Sequence, residues 1–197
     1  VITRERSRQV FEFAFELARS RASAAGKSKV TLVDKANVFS SMAFFRKVFD
    51  EVAATHTDIE TERLYVDACA LDLVRRPWEF DVLVTENMFG DILSDLAAGL
   101  VGGMGFAPSA DIGDSRAVFQ PAHGSAPDIA GKGIANPTAA ILSGAMMLDW
   151  LGRKHQLSSC IDAARLIEEA VEQALQGGAE AFSSTTGMTQ QVMDAIG

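Results

Sequence analysis

An acidic stretch at a predicted strand–helix junction, residues 85–95, constrains the fold of this chain more than any other segment. The run before it, residues 80–84, is rich in Phe and Val and predicts a buried strand. After Gly90, apolar residues recur at helical spacing at Ile92, Leu93, Leu96 and Leu100. A strand that passes directly into a helix is typical of α/β proteins, in which ligands bind at the carboxyl ends of the strands.

Two carboxylates lie in the helical part of this stretch. Asp91 and Asp95 are four residues apart, so a helix places both on one face, where like charges cost roughly 0.2–0.5 kcal/mol. A hard divalent cation, Mg²⁺ or Mn²⁺, would offset that repulsion. On spacing alone, a solvated helix N-terminus in which Asp91 interacts with the helix dipole is the simpler explanation.

The composition limits the classes of partner. The net charge of −8 argues against nucleic acid or an anionic membrane surface. The chain has no run of about 18 apolar residues and no secretory signal pattern, so we expect no membrane partner. With Cys69 and Cys160 as the only cysteines, no disulfide framework is indicated. These features suit a cytoplasmic enzyme.

Along the chain, predicted strands alternate with predicted helices, which indicates an α/β fold. Predicted strands cover residues 30–33, 64–67, 80–84 and 118–119, and residues 108–114 are expected to be a loop. Predicted helices cover residues 3–24, 68–76 and 159–175, a segment capped by Ser40 or Ser41, the segment after Gly90, and one from Asn136–Pro137 to Gly152. The tail from Phe182 onwards is predicted to be polar and then weakly helical.

Several helices carry apolar stripes. In the first, Val10, Phe11, Ala14, Phe15, Leu17 and Ala18 are expected in the core, and in the second Met42, Phe45, Val48, Phe49 and Val52. The helix after Asn136 is apolar almost all round, so we expect it to be buried. The glycines at 99–105 do not have the Gly-x-Gly-x-x-Gly spacing of a Rossmann fingerprint.

Single residues at strand ends are ambiguous. Lys35 follows a predicted strand, where it can act as a general base if burial or a metal lowers its pKa, although such a lysine is usually solvated. Asp67 follows another strand, where an aspartate is commonly a helix cap. The Pro- and Gly-containing loop around His123 fits either an ordered binding loop or a rigid surface turn.

Three longer segments resemble a known family. They are Val-Asp-Lys-Ala-Asn-Val at 33–38, Glu-Asn-Met-Phe-Gly-Asp-Ile-Leu-Ser-Asp at 86–95 and His-Gly-Ser-Ala-Pro-Asp-Ile-Ala-Gly at 123–131. In this order they resemble the β-decarboxylating dehydrogenases, the family of 3-isopropylmalate, isocitrate, homoisocitrate and tartrate/D-malate dehydrogenases. The resemblance runs from about Arg4 to the C-terminus and is strongest to the isopropylmalate enzymes. Family members extend much further at the N-terminus, so we expect this chain to be the C-terminal part of a longer protein.

The resemblance implies an isopropylmalate dehydrogenase-like two-domain α/β fold, present in part, that is not the usual Rossmann type. Residues 1–101 would belong to the dimerisation domain, which holds the metal and the substrate. Residues 102–197 would form the C-terminal part of the cofactor-binding domain. It also implies a homodimer with two shared active sites, in which Lys35 and Asp67 reach into the site of the other subunit.

Site residues follow from the same resemblance. Lys35 would take part in proton transfer at the substrate hydroxyl, and Asp67, Asp91 and Asp95 would bind Mg²⁺ or Mn²⁺. The residues implied to bind the cofactor are His123, Gly124, Ser125, Ala126, Pro127, Asp128, Ile129 and Asn136. A carboxylate at position 128 would accept hydrogen bonds from the ribose hydroxyls and repel a 2′-phosphate, which favours NAD over NADP. Gln120 departs from the glutamate expected in most members.

The implied activity is the NAD-dependent oxidative decarboxylation of 3-isopropylmalate, a 2-hydroxy acid with a carboxylate on C3. Tartrate, D-malate, homoisocitrate or isocitrate is the alternative substrate, because the residues that distinguish these acids lie mostly upstream. The tyrosine and arginines that complete the family's active site also lie upstream, so the chain alone is expected to be inactive. A catalytically silent regulatory subunit and a structural fragment without ligand are the alternatives outside enzymes.

Overall fold

The computed structural model describes residues 1–25, 28–176 and 184–197, and it divides into two compact units, Val1–Ala97 and Ala98–Gly197. The first unit contains, in chain order, α1 (Arg4–Ala25), β1 (Lys29–Asp34), α2 (Ser40–Ala53), β2 (Glu60–Tyr65), α3 (Val66–Arg75), β3 (Val82–Val84) and most of α4 (Asn87–Leu100). The second contains β4 (Pro108–Ile112), β5 (Ala117–Pro121), α5 (Thr138–His155), α6 (Ser158–Gln176) and α7 (Thr185–Ile196). The α/β prediction is confirmed. Within the described part of the chain, no helix has the length and apolar character needed to span a membrane.

The sheet of the first unit is parallel, with the strand order β2-β1-β3. Helix α2 connects β1 to β2, and α3 connects β2 to β3, as parallel strands require a crossover. Because all three strands run the same way, their carboxyl ends share one edge of the sheet. The predicted site residues of this unit come after these strand ends in the sequence: Lys35 after β1, Asp67 after β2, and Asp91 and Asp95 after β3.

Strand β1 is buried on both faces. Val30 and Leu32 pack in the cluster formed with α1 and α2, whereas Val33 packs in a second cluster with Cys69 and Leu73. Since side chains alternate along a strand, Asp34 lies on the same face as Leu32. The end of the strand therefore presents a carboxylate to α2.

Aromatic rings join α1 to α2. The ring centroid of Phe11 lies 4.5 Å from that of Phe45 and 5.2 Å from that of Phe49, and Phe15 lies 5.7 Å from Phe49. These separations suit favourable aromatic pairs. All five residues predicted for the core of α2 are buried.

Two predictions for these helices are wrong in detail. Val10 and Leu17 are exposed, because the residues that face the core of α1 follow the narrow helical spacing of Phe11, Ala14, Phe15 and Ala18. No serine caps α2, since the residue before the helix is Phe39 and it makes no side-chain cap. Helix α2 is stabilised instead by its buried stripe.

Element boundaries near the predicted site also differ from expectation. Strand β2 ends at Tyr65, the register partner of Asp34, so Asp67 lies in the first turn of α3 rather than at the end of a strand. Helix α4 begins at Asn87, before Gly90, because Glu86 caps it. Both boundaries depend on pairing or capping that the apolar pattern does not show.

The segment expected to be a loop after Pro108 is strand β4. It pairs antiparallel with β5, from Pro108↔Pro121 to Ile112↔Ala117. The sequence gives little strand signal here, since residues 108–111 contain a proline and no β-branched or aromatic side chain. The partner strand, not local propensity, determines this element.

The helices of the second unit pack on one another. Gly152 does not end α5, which continues to His155. Burial of α5 is partial, and Met147 is exposed, because the helix is covered by neighbours over only part of its surface. Of the tail predicted from Phe182 onwards, residues 182–183 lie outside the described part of the chain. Residues from Thr185 form helix α7, whose Met188 and Val192 pack with residues of α6.

Gly152 provides a test of the α5–α6 packing. An added Cβ would lie 2.6 Å from Ile161 Cγ1 and 3.0 Å from both Ile161 N and Leu157 O. We therefore expect Gly152→Ala to lower the free energy of unfolding by about 1–3 kcal/mol through overpacking. Denaturant unfolding of the full-length protein followed by circular dichroism measures this loss.

Gly144→Ala is the matched control on the same helix, since an added Cβ meets nothing within 4 Å there. It should leave stability unchanged or raise it by up to about 1 kcal/mol through helix propensity. Equal effects of the two substitutions would show that α5 and α6 do not approach closely at Gly152.

Candidate active site

Two oppositely charged side chains meet at the carboxyl edge of the parallel sheet. Lys35 follows β1, and Asp67 lies in the first turn of α3, directly after β2. Because β1 and β2 are adjacent and parallel, the two residues emerge side by side, and Lys35 Nζ donates a hydrogen bond to Asp67 Oδ1. The structure thus brings together the two residues that the sequence assigned to the neighbouring subunit's site.

This ion pair is open to solvent. The side chain of Asp67 is 68% exposed and that of Lys35 is 24% exposed. The hydrogen bond from Lys35 holds the pKa of Asp67 below its usual range, so the carboxylate is ionised at neutral pH. An exposed pair contributes little to stability, so each partner can be exchanged for a ligand at small cost.

The N-terminal turn of α4 is fixed by two neighbouring residues. Both carboxylate oxygens of Glu86 accept backbone hydrogen bonds, from Met88 N at 3.1 Å and Phe89 N at 2.8 Å. Thr85 Oγ1 donates a hydrogen bond to Val33 O at 2.8 Å, which connects the start of α4 to the last residues of β1. The helix is therefore anchored to the strand that carries Lys35.

Asp91 and Asp95 lie on α4, one helical turn apart, and both are exposed. Asn87 Nδ2 lies 3.4 Å from Asp91 Oδ2, a weak contact. Carboxylate oxygens are the ligands that Mg²⁺ and Mn²⁺ prefer, and Mg²⁺ is commonly held by only one or two carboxylates together with water and substrate. The pair on α4 fits such an ion.

Asp67 does not join this pair within one chain. Among the described residues, no group of three His, Cys, Asp or Glu side chains is arranged to hold a metal ion. A single chain supplies two of the three predicted ligands together, Asp91 and Asp95. The assignment of Asp67 as the third ligand stays a prediction.

The predicted cofactor loop lies in the second unit, directly after β5. The residues His123, Gly124, Ser125, Ala126, Pro127 and Asp128 are exposed, and Ile129 is partly buried. His123 Nδ1 lies 2.8 Å from Gly124 O, and Ile129 N donates to Ala126 O at 3.1 Å. Ala126 has φ of 40°, a left-handed conformation that is uncommon for residues other than glycine. The loop is ordered and presents the Asp128 carboxylate to solvent.

Asn136 lies at the start of α5, where its side chain has one satisfied and one unsatisfied end. Oδ1 accepts a hydrogen bond from Thr138 N at 2.9 Å. The prediction that Asn136 is the cap is wrong by one position, because α5 begins at Thr138 and Pro137 is the cap residue, which has no side-chain acceptor. Nδ2 is buried and has no hydrogen-bond partner among the described residues, and the same holds for the buried Thr138 Oγ1. An unpaired buried donor costs about 1–3 kcal/mol. A ligand acceptor such as a ring nitrogen of adenine would satisfy it, once the residues around it shift to admit the ligand.

The sequence analysis did not identify several residues that support this site. The buried Asp34 and the partly exposed Arg46 form an ion pair behind Lys35, and Glu86 and Thr85 fix α4. A carboxylate at the end of a predominantly apolar strand was the available signal for Asp34. Arg46 is part of an apolar helix whose neighbours gave no reason to single it out.

Comparison with known proteins identifies the family of the chain. A family model described as isocitrate/isopropylmalate dehydrogenase matches residues 1–196. The chain belongs to the isocitrate/isopropylmalate dehydrogenase family. The resemblance predicted from the three motifs is confirmed.

Individual relatives within this family carry different names. The chain is 50% identical over 179 residues to a protein of Methanocaldococcus jannaschii named 3-isopropylmalate/3-methylmalate dehydrogenase, covering 90% of this chain and 52% of that protein. It is 46% identical to an isocitrate/homoisocitrate dehydrogenase of Thermus thermophilus, covering 100% of this chain and 57% of that one. The chain thus spans about half the length of these relatives.

A solved structure shares the fold. The crystal structure of isocitrate dehydrogenase from Methylococcus capsulatus matches with a TM-score of 0.88 and 44% identity, over 100% of this chain and 57% of that one. The isopropylmalate dehydrogenase-like fold, present in part, is therefore confirmed.

The cap of α4 can be tested directly. Glu86→Ala removes both acceptors for Met88 N and Phe89 N, so we expect it to lower the free energy of unfolding by about 0.5–2 kcal/mol. Chemical denaturation of the full-length protein measures the change.

Glu86→Gln is the control, because its amide oxygen still accepts one of the two hydrogen bonds. It should cost less than half as much as Glu86→Ala. If alanine were tolerated without loss, Glu86 would not be what starts α4 at Asn87.

Proposed function

We propose that the full-length protein catalyses the NAD⁺-dependent oxidative decarboxylation of 3-isopropylmalate to 2-oxoisocaproate, releasing CO₂ and NADH, as a cytoplasmic enzyme of leucine biosynthesis. The observation that carries this proposal is the meeting of Lys35 with Asp67 at the carboxyl edge of the sheet that also leads into α4. Membership of the dehydrogenase family gives the reaction class. The 50% identical relative named for 3-isopropylmalate supports the substrate.

The chain's residues would have the following roles. Lys35 moves the proton at the substrate hydroxyl while the C2 hydride leaves, after which the C3 carboxylate is lost as CO₂. Asp91 and Asp95, with Asp67 of a second copy, would hold Mg²⁺ or Mn²⁺. A bound cation would supply Lewis-acid polarisation of the substrate oxygen, and bound NAD⁺ would accept the hydride. Because Lys35 and Asp67 are paired in one chain, a second subunit would receive both residues together, as a homodimer with shared sites requires.

The cofactor would bind along the loop after β5. Asp128 is exposed there and can accept hydrogen bonds from ribose hydroxyls, and its charge disfavours a 2′-phosphate. The unpaired Nδ2 of Asn136 supplies a donor for the adenine ring. The charge of Asp128 supports NAD over NADP, whereas the donor of Asn136 suits the adenine ring of either cofactor.

A different 2-hydroxy acid is the main alternative. The Thermus relative, whose match covers this whole chain, is named for isocitrate and homoisocitrate. Tartrate and D-malate also stay open as substrates of the same chemistry. A silent regulatory subunit is disfavoured because Lys35, Asp67, Asp91 and Asp95 are all present.

The substrate is tested by NADH formation. The full-length protein with Mn²⁺ should give the highest kcat/KM with 3-isopropylmalate among five acids, the others being homoisocitrate, isocitrate, tartrate and D-malate. NAD⁺ should be preferred over NADP⁺. Absorbance at the wavelength of NADH measures both preferences.

Residues 1–197 alone serve as the negative control, since the tyrosine and arginines implied by the family are upstream, and this chain should form no NADH. A preference for another acid would keep the mechanism and overturn the pathway. Absence of turnover with every acid, despite Mn²⁺ binding, would favour the regulatory subunit.

Asn136 tests the cofactor site. Asn136→Ser keeps an oxygen that can accept the hydrogen bond from Thr138 N but removes the unpaired amide donor. NAD⁺ affinity should therefore fall about three- to tenfold, the loss expected for one hydrogen bond. Isothermal titration calorimetry of the full-length protein with NAD⁺ measures the affinity.

Stability separates the two functions of this side chain. The free energy of unfolding should change by less than about 1 kcal/mol in Asn136→Ser, because the serine hydroxyl can still accept a hydrogen bond from Thr138 N. Asn136→Ala should lose both affinity and stability. Unchanged NAD⁺ affinity in Asn136→Ser would exclude the amide as a cofactor contact.

A further inference from the structure

A buried charge lies directly behind Lys35. Asp34 is 0% exposed, and its carboxylate accepts hydrogen bonds from Arg46 Nε and Arg46 Nη2, both at 2.7 Å, and from Ala36 N at 2.9 Å. The hydrogen bonds to Asp34 raise the pKa of Arg46 above its usual value. The guanidinium is therefore charged, and its geometry relative to the Asp34 carboxyl group is fixed by two parallel hydrogen bonds.

The alternation of β-strand side chains brings a third residue into this pair. Tyr65 on β2 is the register partner of Asp34 on β1, so both side chains lie on the face of the sheet that carries α2. Arg46 extends from α2 to this point, and its guanidinium carbon lies 5.2 Å from the centroid of the Tyr65 ring. The guanidinium thus contacts both strand ends, Asp34 by hydrogen bonds and Tyr65 by a cation–π contact.

Lys35 is held between these fixed groups. Its carbonyl accepts hydrogen bonds from Val38 N and Phe39 N, both at 3.0 Å, and the next N–H, that of Ala36, is bound to Asp34. Its ammonium group lies 5.6 Å from the centroid of the same Tyr65 ring and is paired with Asp67. The backbone and the side chain of Lys35 are both supported by residues that Arg46 contacts.

Stability alone does not account for this pair. A buried ion pair is weak support for a fold, since apolar residues of similar size commonly serve as well or better. The rest of β1 from Val30 to Val33 is packed without charge. Asp34 also orients the backbone: its Oδ1 accepts the hydrogen bond from Ala36 N and so fixes the turn that begins at Lys35.

We propose that Asp34 and Arg46 are positioning residues, which hold Lys35 against Asp67 through the Ala36 N–H and the ring of Tyr65. The proposal rests on the proposed function, in which Lys35 moves the substrate proton. Displacing a reacting group by about 1 Å can cost on the order of a hundredfold in rate. The pair would therefore influence kcat without contacting substrate.

The first test follows the position of Lys35 without substrate, metal or cofactor. Arg46→Lys keeps the charge but loses the bidentate fork and the flat guanidinium face. In the full-length protein, the rate at which acetic anhydride modifies Lys35 should rise at least threefold, measured by peptide mass spectrometry relative to the exposed Lys132. Asp34→Asn should act in the same direction.

Arg63→Lys is the matched control. Arg63 donates to Asp50 Oδ1 from Nε and Nη2, at 3.0 and 2.8 Å, and its guanidinium carbon lies 4.9 Å from the Phe49 centroid. It thus has the same kinds of contact in the same unit. Its substitution should leave both the labelling of Lys35 and the turnover of the enzyme unchanged.

Steady-state kinetics give the second test, carried out well below the unfolding temperature and normalised to folded protein. Arg46→Lys should lower kcat about ten- to a hundredfold, with the KM for the substrate changed less than threefold. A residue that only stabilised the fold would lower the unfolding temperature and leave kcat intact. If Arg46→Lys does not fold, Tyr65→Leu at a partly exposed position should reproduce both effects.

The outcomes separate this proposal from the proposed function. Faster labelling of Lys35 together with a lower kcat supports the positioning role. Unchanged labelling, or faster labelling with unchanged kcat, overturns it. If the wild-type protein turns over none of the five acids, the proposed function fails, and the labelling rates alone decide whether Asp34 and Arg46 hold Lys35.

Discussion

The first unit depends on the burial of strand β1, which is hydrogen-bonded to β2 on one edge and to β3 on the other. Apolar side chains on both of its faces pack against helices and fix the position of the strand between two helical layers. The position of each predicted catalytic group in this unit depends on that strand. Lys35 follows its last residue, β2 delivers Asp67 beside it, and Thr85 binds its penultimate carbonyl at the start of α4. A rigid central strand thus sets the geometry of a site that is otherwise exposed.

The sequence predicted most of this arrangement where a periodic pattern exists. The core face of α2 and the α/β class follow from apolar spacing and are confirmed. The boundaries of β2, α4 and β4 do not follow from spacing, since they depend on register, on a capping glutamate and on a partner strand. A stretch such as residues 108–112 becomes a strand only because β5 lies beside it. Long-range pairing is the information that a local pattern lacks.

The site residues show the same division. The motifs around Lys35 and Asp91 were found because they are long and resemble a family, whereas their physical support was not. Arg46 is twelve residues from Asp34 in sequence, and nothing local marks the two as a pair. Strand alternation could have placed Asp34 on the α2 face, had the end of β1 been known. What the sequence could not supply was which side chain of α2 reaches that face.

Two ion pairs at this edge of the sheet have opposite physical character, and the difference suggests a division of tasks. Asp34 and Arg46 are joined by two parallel hydrogen bonds, with the carboxylate fully buried, so breaking the pair would leave a buried charge without a partner. Lys35 and Asp67 are joined by one hydrogen bond at the surface, where water or a ligand can replace either partner at little cost. The pair with the buried carboxylate, Asp34–Arg46, can set a geometry but cannot take part in exchange. The pair with the exposed carboxylate, Lys35–Asp67, can exchange partners but cannot set a geometry. The proposed site would move a proton and bind a cation, and it would need both pairs. The end of β1 supplies one member of each pair at consecutive residues, Asp34 and Lys35.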